Sequence, residues 1–373
     1  MSRNYWGRGK DRLDEGEATA LAHAARGRGA VSNAAGRFEP VHRVLSDDGW
    51  GVHDAEAPAL RTTLIIDATR SIIARNQSPD ISFDRSINPY RGCEHGCIYC
   101  FARPSHAYLG MSAGLDFESK LFIKPKAAEL LAGELSAKGY RVRPIAIGTN
   151  TDPYQPIERT HRIMRQVLEV LASFRHPVTI VTKSHLVTRD IDILQPMAKA
   201  NLARVAVSVT TLDRRLARAM EPRAATPERR LEAIAALSEA GIPTAVMTAP
   251  IIPALNDSEM EAILERARDQ GARQAGYVIL RLPLEIKDLF REWLAAHFPD
   301  KAQHVMSLIR QMRGGRDYDA DWQRRMTGTG PYASLIAKRF GVAVRRLGLN
   351  ARLPPLDTSA FRPPHTSRQL DLL

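Results

Sequence analysis

Residues 88–100, NPYRGCEHGCIYC, contain all three cysteines of the 373-residue chain. Three residues separate Cys93 from Cys97, and two residues separate Cys97 from Cys100. This spacing allows one short loop to place three thiolates around a small inorganic centre, and soft thiolates select zinc, copper(I) or iron–sulfur clusters. Three protein ligands leave one coordination position open, which is typical of a metal site that performs chemistry. The stretch therefore predicts a catalytic metal centre.

With aromatic Tyr99 before the last cysteine, this stretch resembles the signature of the radical S-adenosylmethionine (radical SAM) superfamily. The wider context, residues 88–109, is similar to that of spore photoproduct lyase-like proteins. The resemblance implies a [4Fe–4S] cluster on Cys93, Cys97 and Cys100, with one iron left open for the amino and carboxylate groups of S-adenosylmethionine (SAM). It also implies that one electron, from a donor such as flavodoxin or ferredoxin, splits SAM into a 5′-deoxyadenosyl radical. That radical would abstract hydrogen from a substrate that the sequence does not identify.

Other interpretations of the cysteines are a disulfide with one odd thiol, a set of buried apolar side chains, and a zinc site. The zinc site is the most serious alternative, with His95 or His106 as its fourth ligand. Structural zinc sites usually combine cysteines from two separated knuckles, and the sequence contains no second knuckle. The pattern therefore favours a cluster, with His95 beside it or in solvent.

Beyond the cysteines, the sequence alternates between short β-branched runs and amphipathic helices. This alternation predicts parallel strands joined by helices, and therefore an α/β fold. About six units indicate a partial (β/α)6 TIM-type barrel, which the radical SAM resemblance also implies. Predicted strands cover 86–88, 144–148, 178–182, 204–209, 244–248 and 277–280, and predicted helices cover 125–138, 157–174, 191–200, 227–240 and 259–267.

The sequence divides into five predicted segments around that barrel. Residues 1–58 are rich in Gly and Arg and predict a flexible basic N-terminal arm. Residues 59–85 contain two β-branched runs, predicted as a hairpin or a pair of short strands. The radical SAM core follows at 86–284. Residues 285–350 predict a helical extension that caps one end of the barrel, and residues 351–373 a disordered tail.

Net charge of +12 and an isoelectric point of about 9.9 suit a polyanionic partner such as nucleic acid. The arginines are spread along the chain, however, which is more typical of a solvated surface. No run reaches the roughly 20 apolar residues of a membrane span, and no secretory segment follows the polar start of the chain. We therefore expect a cytoplasmic protein with no membrane contact, and we treat nucleic-acid binding as a possibility to test.

Active sites of parallel β/α barrels lie at the C-terminal ends of the strands, so polar residues there are predicted to bind SAM. The second strand end carries Gly148, Thr149, Asn150 and Asp152, which depart from the Gly-Gly-Glu form that the resemblance implies. The remaining candidates for the carboxylate, the ribose or the cofactor surroundings are Tyr99, Lys183, Ser208, Thr210 and Arg223. The alternative for Arg223 is a surface salt bridge with Glu221 or Glu228.

The chain has no fourth cysteine. Spore photoproduct lyases characteristically carry a further cysteine as a hydrogen donor, so its absence argues against thymine-dimer repair. It also excludes an auxiliary cluster bound by cysteines of this chain. Tyr108 and Tyr154 are the predicted substitutes for radical relay. Two alternative functions remain: repair or modification of nucleic acid, and a non-catalytic iron–sulfur or zinc-binding protein.

Overall fold

A seven-stranded sheet forms the centre of the structure, a computed structural model that describes residues 27–39 and 60–364. Predicted segments at 1–26, 40–59 and 365–373 lie outside the described residues. The strands in chain order are β1 (Thr63–Ile66), β2 (Ile73–Arg75), β3 (Arg85–Ile87), β4 (Tyr90–Arg91), β5 (Lys120–Ile123), β6 (Ile145–Ile147), β7 (Val178–Thr182), β8 (Ala203–Ser208), β9 (Thr244–Ile251) and β10 (Gln274–Ile279).

Helices follow most of the strands. In chain order they are α1 (Leu115–Ser119), α2 (Ala127–Ser136), α3 (Glu158–His161), α4 (Ile163–Ser173), α5 (Ile191–Lys199), α6 (Arg214–Met220), α7 (Pro227–Glu239), α8 (Met260–Asp269), α9 (Ile286–His297), α10 (Pro299–Gln311) and α11 (Gly330–Leu347). Within the described ranges, three short 3₁₀ helices cover Arg103–Leu109, His185–Asp190 and Asp257–Glu259. None of the described helices is both long and apolar enough to cross a membrane.

The order of strands in the main sheet is β10-β9-β8-β7-β6-β3-β2. The first six strands in this order pair in parallel with their neighbours, whereas β2 runs antiparallel to β3 at the edge. Six parallel strands with connecting helices confirm the predicted partial (β/α)6 barrel. Because β10 and β2 stand at opposite edges, the sheet is not closed.

The small second sheet has the order β1-β5-β4. Strand β1 is parallel to β5, and the two-residue strand β4 is antiparallel to it. The predicted hairpin of residues 62–74 is therefore wrong, because β1 and β2 belong to different sheets; the alternative of two short strands is confirmed. Strand β4 directly precedes the cysteines and fixes the start of their loop.

Along each strand, successive residues face alternately the surrounding helices and the interior of the open barrel. Ile180, Val205 and Val246 are buried in the main core. Their neighbours Val181 and Ala206 are only partly buried, as expected for the interior face of an open barrel. Helix α7 begins as its sequence predicts, because the Thr226 hydroxyl accepts the Arg229 backbone N–H at its N-cap.

The helix predicted over 157–174 is interrupted. Arg162 has a φ of +50°, and it separates α3 from α4. The buried Glu158 carboxylate accepts the backbone N–H of Met164 at 3.0 Å and so satisfies an N–H at the start of α4. The interruption therefore has a specific partner, a buried acid that periodicity alone does not reveal.

The C-terminal helices cover two separate faces rather than one end of the barrel. Trp293 of α9 is buried beside the cysteine loop, and its indole N–H donates to the Ala219 carbonyl at 3.0 Å. Helix α11 lies against α8, where Arg339 pairs with Glu261 at 2.7 Å. The predicted single cap is corrected accordingly.

Both predicted flexible ends are packed where the structure describes them. Residues 27–34 lie against the cysteine loop, with Ala30 1% exposed. At the other end, Asn201 donates to the Pro355 carbonyl at 2.6 Å, and the Phe361 ring packs against Phe174. The predictions of a flexible arm and a disordered tail are therefore wrong for residues 27–39 and 351–364.

Candidate active site

The cysteine loop follows β3 and β4, at the C-terminal end of the first barrel strand. The Cys93 backbone N–H donates to the Phe117 carbonyl at 3.0 Å, and turns within the loop join Cys97 to Cys100 at 3.1 Å. Gly92 has a φ of +76°, and a Cβ there would lie 2.7 Å from Leu121. The loop can therefore approach its support this closely only with glycine at that position.

All three cysteines are free thiols; Cys93 and Cys97 are buried and Cys100 is partly exposed. Burial raises the pKa of the Cys93 thiol well above its ordinary value, and the charge of Asp152 raises it further. Burial is also the main cause of the raised pKa of Cys97. A metal centre would therefore bind here with release of protons from neutral thiols.

The donor set fits a cluster better than a zinc ion. The part of the chain that the structure describes contains no group of three or more His, Cys, Asp or Glu side chains arranged around one metal ion. His106 Nε2 lies 2.9 Å from the Lys120 carbonyl oxygen, and His95 Nδ1 lies 3.4 Å from Asp152 Oδ2. His106 Nδ1 is buried without a hydrogen-bond partner, but among the described residues neither histidine is grouped with two thiols around one point, so neither completes a zinc site. A cluster distributes its thiolates over several irons and requires no fourth protein ligand at one point.

A buried ionic network stands beneath the loop. The Tyr99 hydroxyl donates to Glu221, and the Thr210 hydroxyl donates to the same carboxylate at 3.0 Å. Arg230 pairs with Glu221 and also donates to the Ser208 carbonyl at 3.2 Å. Burial raises the pKa of Glu221, while the Arg230 charge opposes this. This network fixes Tyr99, and with it the loop, to the end of β8.

The second strand end is less available to SAM than its composition predicts. Asp152 accepts the Thr182 hydroxyl and the Lys183 backbone N–H, both at 2.7 Å. The Asn150 backbone N–H donates to Asn88 Oδ1 at 3.0 Å. The carboxylate of Asp152 is therefore largely occupied by the chain itself, and its predicted contact with SAM stays a prediction.

Gly148 holds this strand end close to its neighbour. Its φ is +87°, and a Cβ there would lie 2.0 Å from the Val181 carbonyl oxygen. The adjacent Thr149 hydroxyl lies 3.5 Å from Asn88 Nδ2. Gly148 thus lies against β7, and Thr149 lies beside Asn88, which precedes the cysteine loop. The backbone carbonyls of both residues remain candidates for binding SAM.

The two predicted relay tyrosines have different surroundings. Tyr154 is fully buried, and burial together with the Asp190 charge raises its pKa well above the ordinary value. Tyr108 is 71% exposed, and its ring lies 5.4 Å from that of Phe38. An exposed surface tyrosine is less well placed for radical transfer than a buried one, and the relay role of Tyr108 stays a prediction.

Lys183 and Arg223 are the two predicted cations near the loop. The Lys183 ammonium lies 5.8 Å from the centre of the Tyr99 ring. Arg223 donates to Glu94 Oε1 at 3.0 Å, rather than to Glu221 or Glu228 as the surface alternative supposed. Glu94 belongs to the cysteine loop itself. The pair therefore connects the loop to the segment that follows α6.

A pocket of about 460 Å³ opens beside the cysteine loop, among residues that follow β6, β7 and β8. Of the predicted site residues, Tyr154 and Arg223 line it. The full lining is His95, Tyr154, Pro156, Arg159, Ser184, His185, Leu186, Thr188, Arg189, Arg223, Ala224, Ala225 and Arg229.

Sequence reasoning missed the buried charges that hold the site together. Arg230 occupies the apolar stripe of α7 with Leu231 and Ile234, a position that signals a buried partner. Glu118 and Arg103 form a fully buried ion pair beneath the loop. Glu118 has no comparable signal, because its helix α1 is too short to show a periodicity.

Fold and site together define an α/β-barrel protein with three free thiols at the mouth of its barrel. The radical SAM superfamily model matches residues 87–267. The uncharacterised protein Rv2578c of Mycobacterium tuberculosis is 35% identical over 243 residues, which cover 64% of this chain and 72% of that protein. The uncharacterised protein MJ0683 of Methanocaldococcus jannaschii is 30% identical over 173 residues, covering 46% and 62%.

A solved structure of a spore photoproduct lyase mutant has a similar fold. The TM-score is 0.51 at 14% identity, over 77% of this chain and 80% of that one. The chain belongs to the radical SAM superfamily. It is therefore an enzyme, and membership implies a [4Fe–4S] cluster and SAM as its cofactors.

Proposed function

We propose that Cys93, Cys97 and Cys100 hold a [4Fe–4S] cluster and that the chain uses it to cleave SAM reductively. When bound, the cluster supplies one electron that splits SAM into methionine and a 5′-deoxyadenosyl radical, which takes a hydrogen atom from the substrate. The observation that carries the proposal is the set of three free thiols in one loop at the C-terminal end of β3. A reduced flavodoxin or ferredoxin is the proposed source of the electron.

Lys183 is the proposed partner of the SAM carboxylate. Among the described residues its ammonium forms no ion pair, and it lies 5.8 Å from the centre of the Tyr99 ring of the cysteine loop. Arg223 is the second candidate, although Glu94 already engages one side of its guanidinium. Carbonyls of Gly148, Thr149 and Asn150 are the proposed acceptors for the ammonium. Ser208 and Thr210 support the site through Arg230 and Glu221.

Tyr154 is the proposed radical relay residue. It is buried, it lines the pocket beside the loop, and the charged group that acts most on its hydroxyl is the carboxylate of Asp190. A tyrosine in such surroundings can exchange a hydrogen atom with a bound substrate without competition from solvent. Replacing Tyr154 with Phe is then expected to leave SAM cleavage intact while it changes the fate of the substrate radical.

The test is anaerobic reconstitution with iron and sulfide, followed by dithionite and SAM. The wild-type protein is expected to show iron–sulfur absorbance and to form 5′-deoxyadenosine. Cys97→Ala removes one thiolate and is expected to abolish both signals. Ser105→Ala is the matched control, because it deletes one exposed side-chain atom five residues beyond Cys100 and leaves all three thiols in place.

Two results would overturn the proposal. One is stoichiometric zinc, with no iron retained after reconstitution. The other is an intact cluster that forms no 5′-deoxyadenosine with SAM and reductant. Retention of both signals in Cys97→Ala would reject the ligand assignment alone.

A further inference from the structure

The pocket beside His95 is lined by cations from three separate parts of the chain. Arg159 comes from α3, Arg189 from the 3₁₀ helix after β7, and Arg223 and Arg229 from either side of the α7 N-terminus. Among the described residues, no aspartate or glutamate is part of the lining. Four guanidinium groups therefore surround a single pocket.

Two of these arginines are held in place from behind. Arg189 donates to the buried Glu158 at 2.7 Å and to the buried Asp190 at 2.8 Å, and Arg223 donates to the buried Glu94 at 3.0 Å. All three carboxylates stand outside the lining, so they orient the guanidinium groups without entering the pocket. Their charges compensate those of Arg189 and Arg223, so an incoming ligand depends mainly on the other two arginines.

Arg159 and Arg229 have guanidinium N–H groups that are available to a ligand. Within the described residues Arg159 forms no ion pair, and its side chain is exposed. Arg229 pairs with Glu232, but both side chains are more than half exposed. Exposed pairs of this kind contribute little and exchange readily for a better ligand.

The backbone adds to the attraction for an anion. Helix α7 has 13 residues, and Ala224, Ala225 and Arg229 at its N-terminus line the pocket. The positive end of a helix favours negative charge. The Tyr154 hydroxyl in the same lining is fully buried and lies under the charge of Asp190, so it adds no free donor for an anion.

SAM does not account for these features. It carries an ammonium and a sulfonium against one carboxylate, so its net charge is positive. A phosphate group, in contrast, matches arginine because planar guanidinium groups donate to phosphate oxygens in pairs. The volume of about 460 Å³ is that of a site for one small ligand.

We propose that this pocket binds the phosphate group of a phosphate-bearing substrate. Arg159 and Arg229 are the principal donors, and Arg223 supplies a third guanidinium group, which Glu94 orients. The second part of the inference rests on the proposed function: with the phosphate in this pocket, the rest of the substrate reaches towards the cysteine loop through the side that His95 lines.

Equilibrium binding to the anaerobically reconstituted protein tests this proposal. The probes are inorganic phosphate, a nucleoside 5′-monophosphate, the same nucleoside without phosphate, and a short single-stranded oligonucleotide. The monophosphate is expected to bind at least tenfold more tightly than the nucleoside, and inorganic phosphate is expected to displace it. Failure of every phosphate-bearing probe to bind at concentrations on the order of millimolar would overturn the proposal.

Variants locate the binding in this pocket. The double variant Arg159→Gln, Arg229→Gln is expected to weaken binding of the monophosphate by about tenfold to a hundredfold, whereas lysine at both positions retains part of the affinity. Arg266→Gln is the matched control, since it removes the same charge from the exposed side of α8. Equal weakening by the control, or none by the double variant, would overturn the proposal.

The affinity for the oligonucleotide distinguishes a nucleic-acid phosphate from the phosphate of a small molecule. Binding much tighter than that of the monophosphate, with a steep loss on addition of salt, assigns the phosphate to a nucleic-acid backbone. Similar affinities assign it to a small molecule. The same preparation is assayed for 5′-deoxyadenosine, so loss of phosphate binding with intact SAM cleavage rejects the pocket alone, and the reverse result rejects the proposed function alone.

Discussion

Asp152 shows how the chain itself can satisfy a polar side chain at a strand end. Its two oxygens accept three hydrogen bonds, from the Thr182 hydroxyl and from the backbone N–H groups of Lys183 and Tyr154. These bonds tie the loop after β6 to the end of β7. Polar residues next to a catalytic loop thus include some that build the site and some that remain open to a ligand.

Lys183 belongs to the second kind. Replacing it with Met keeps most of the aliphatic side chain and removes the charge. Loss of a charged hydrogen bond costs about 1.5–3 kcal/mol, so we expect SAM to bind at least tenfold more weakly. Titration of the reconstituted protein with SAM measures this effect. The Asp152 bond to the Lys183 backbone remains in the variant, so cluster absorbance should not change; unaltered SAM affinity would refute the assignment.

His176 connects a single residue to the pH dependence of stability. Burial lowers its pKa from 6.5 to about 4, which the Pro177 carbonyl partly opposes. Below pH 6.5 His176 binds a proton in the unfolded chain but stays neutral in the folded chain. Stability is therefore full above pH 6.5 and is lost progressively down to about pH 4, with a maximum contribution of about 3 kcal/mol.

His176→Gln is expected to reduce this slope. Denaturant unfolding between pH 7 and pH 4.5 compares the variant with the wild-type protein. His304→Gln, on the exposed surface of α10, is the control. A slope equal to that of the wild-type protein in His176→Gln would show that another group titrates.

At the scale of elements, the cysteine loop is held between the barrel and residues 27–34. Glu118 lies at the centre of this contact: its carboxylate pairs with Arg103 and accepts the backbone N–H groups of Gly29 and Ala30 at 2.9 and 2.8 Å. Arg103 in turn donates to the Cys97 carbonyl at 2.9 Å. One fully buried ion pair therefore joins the segment before the barrel to the backbone of the thiol loop.

Gly29→Ala is expected to separate residues 27–34 from the cysteine loop. A Cβ at Gly29 would lie 1.8 Å from the Gly96 carbonyl oxygen, so the segment must move and its bonds to Glu118 lengthen. We expect a loss of about 2–4 kcal/mol in the free energy of unfolding, together with faster removal of the cluster by a chelator. Hydrogen exchange of residues 27–34 reports the movement without the cluster. Gly133→Ala, with open space around its Cβ on α2, is the control.

The same elements show which parts of the fold can be predicted from the sequence. The helix α7 and the strand β7 follow from capping and from β-branched runs, because their signals are local. The break at Arg162 and the packing of residues 27–34 depend on Glu158 and Glu118, two acids buried by distant parts of the chain. The thiols could be identified from spacing alone, whereas the partner of Arg223 could not, since only the fold brings Glu94 to it.

At the scale of the whole molecule, the C-terminal segment crosses the barrel opposite its mouth. The Gln274 side chain donates to the Ala351 carbonyl at 2.9 Å, and the Asp357 N–H donates to the Asn201 carbonyl at 3.0 Å. Further along, the Phe361 ring lies 5.6 Å from that of His176. The segment thus spans the N-terminal ends of the strands from β10 to β7, an edge that an open sheet would otherwise leave uncovered.

Ending the chain after Asn350 should therefore lower stability without altering the chemistry. Phe361→Ala is the milder version: its ring is partly buried, so we expect a loss of about 1–3 kcal/mol in denaturant unfolding. Phe38→Ala is the control, because that ring is 55% exposed. Formation of 5′-deoxyadenosine at a temperature where the protein stays folded should not change, since active sites of this fold lie at the opposite ends of the strands. Wild-type stability in Phe361→Ala would show that the segment only covers the barrel, whereas loss of SAM cleavage in a folded variant would show that the two ends of the barrel are coupled.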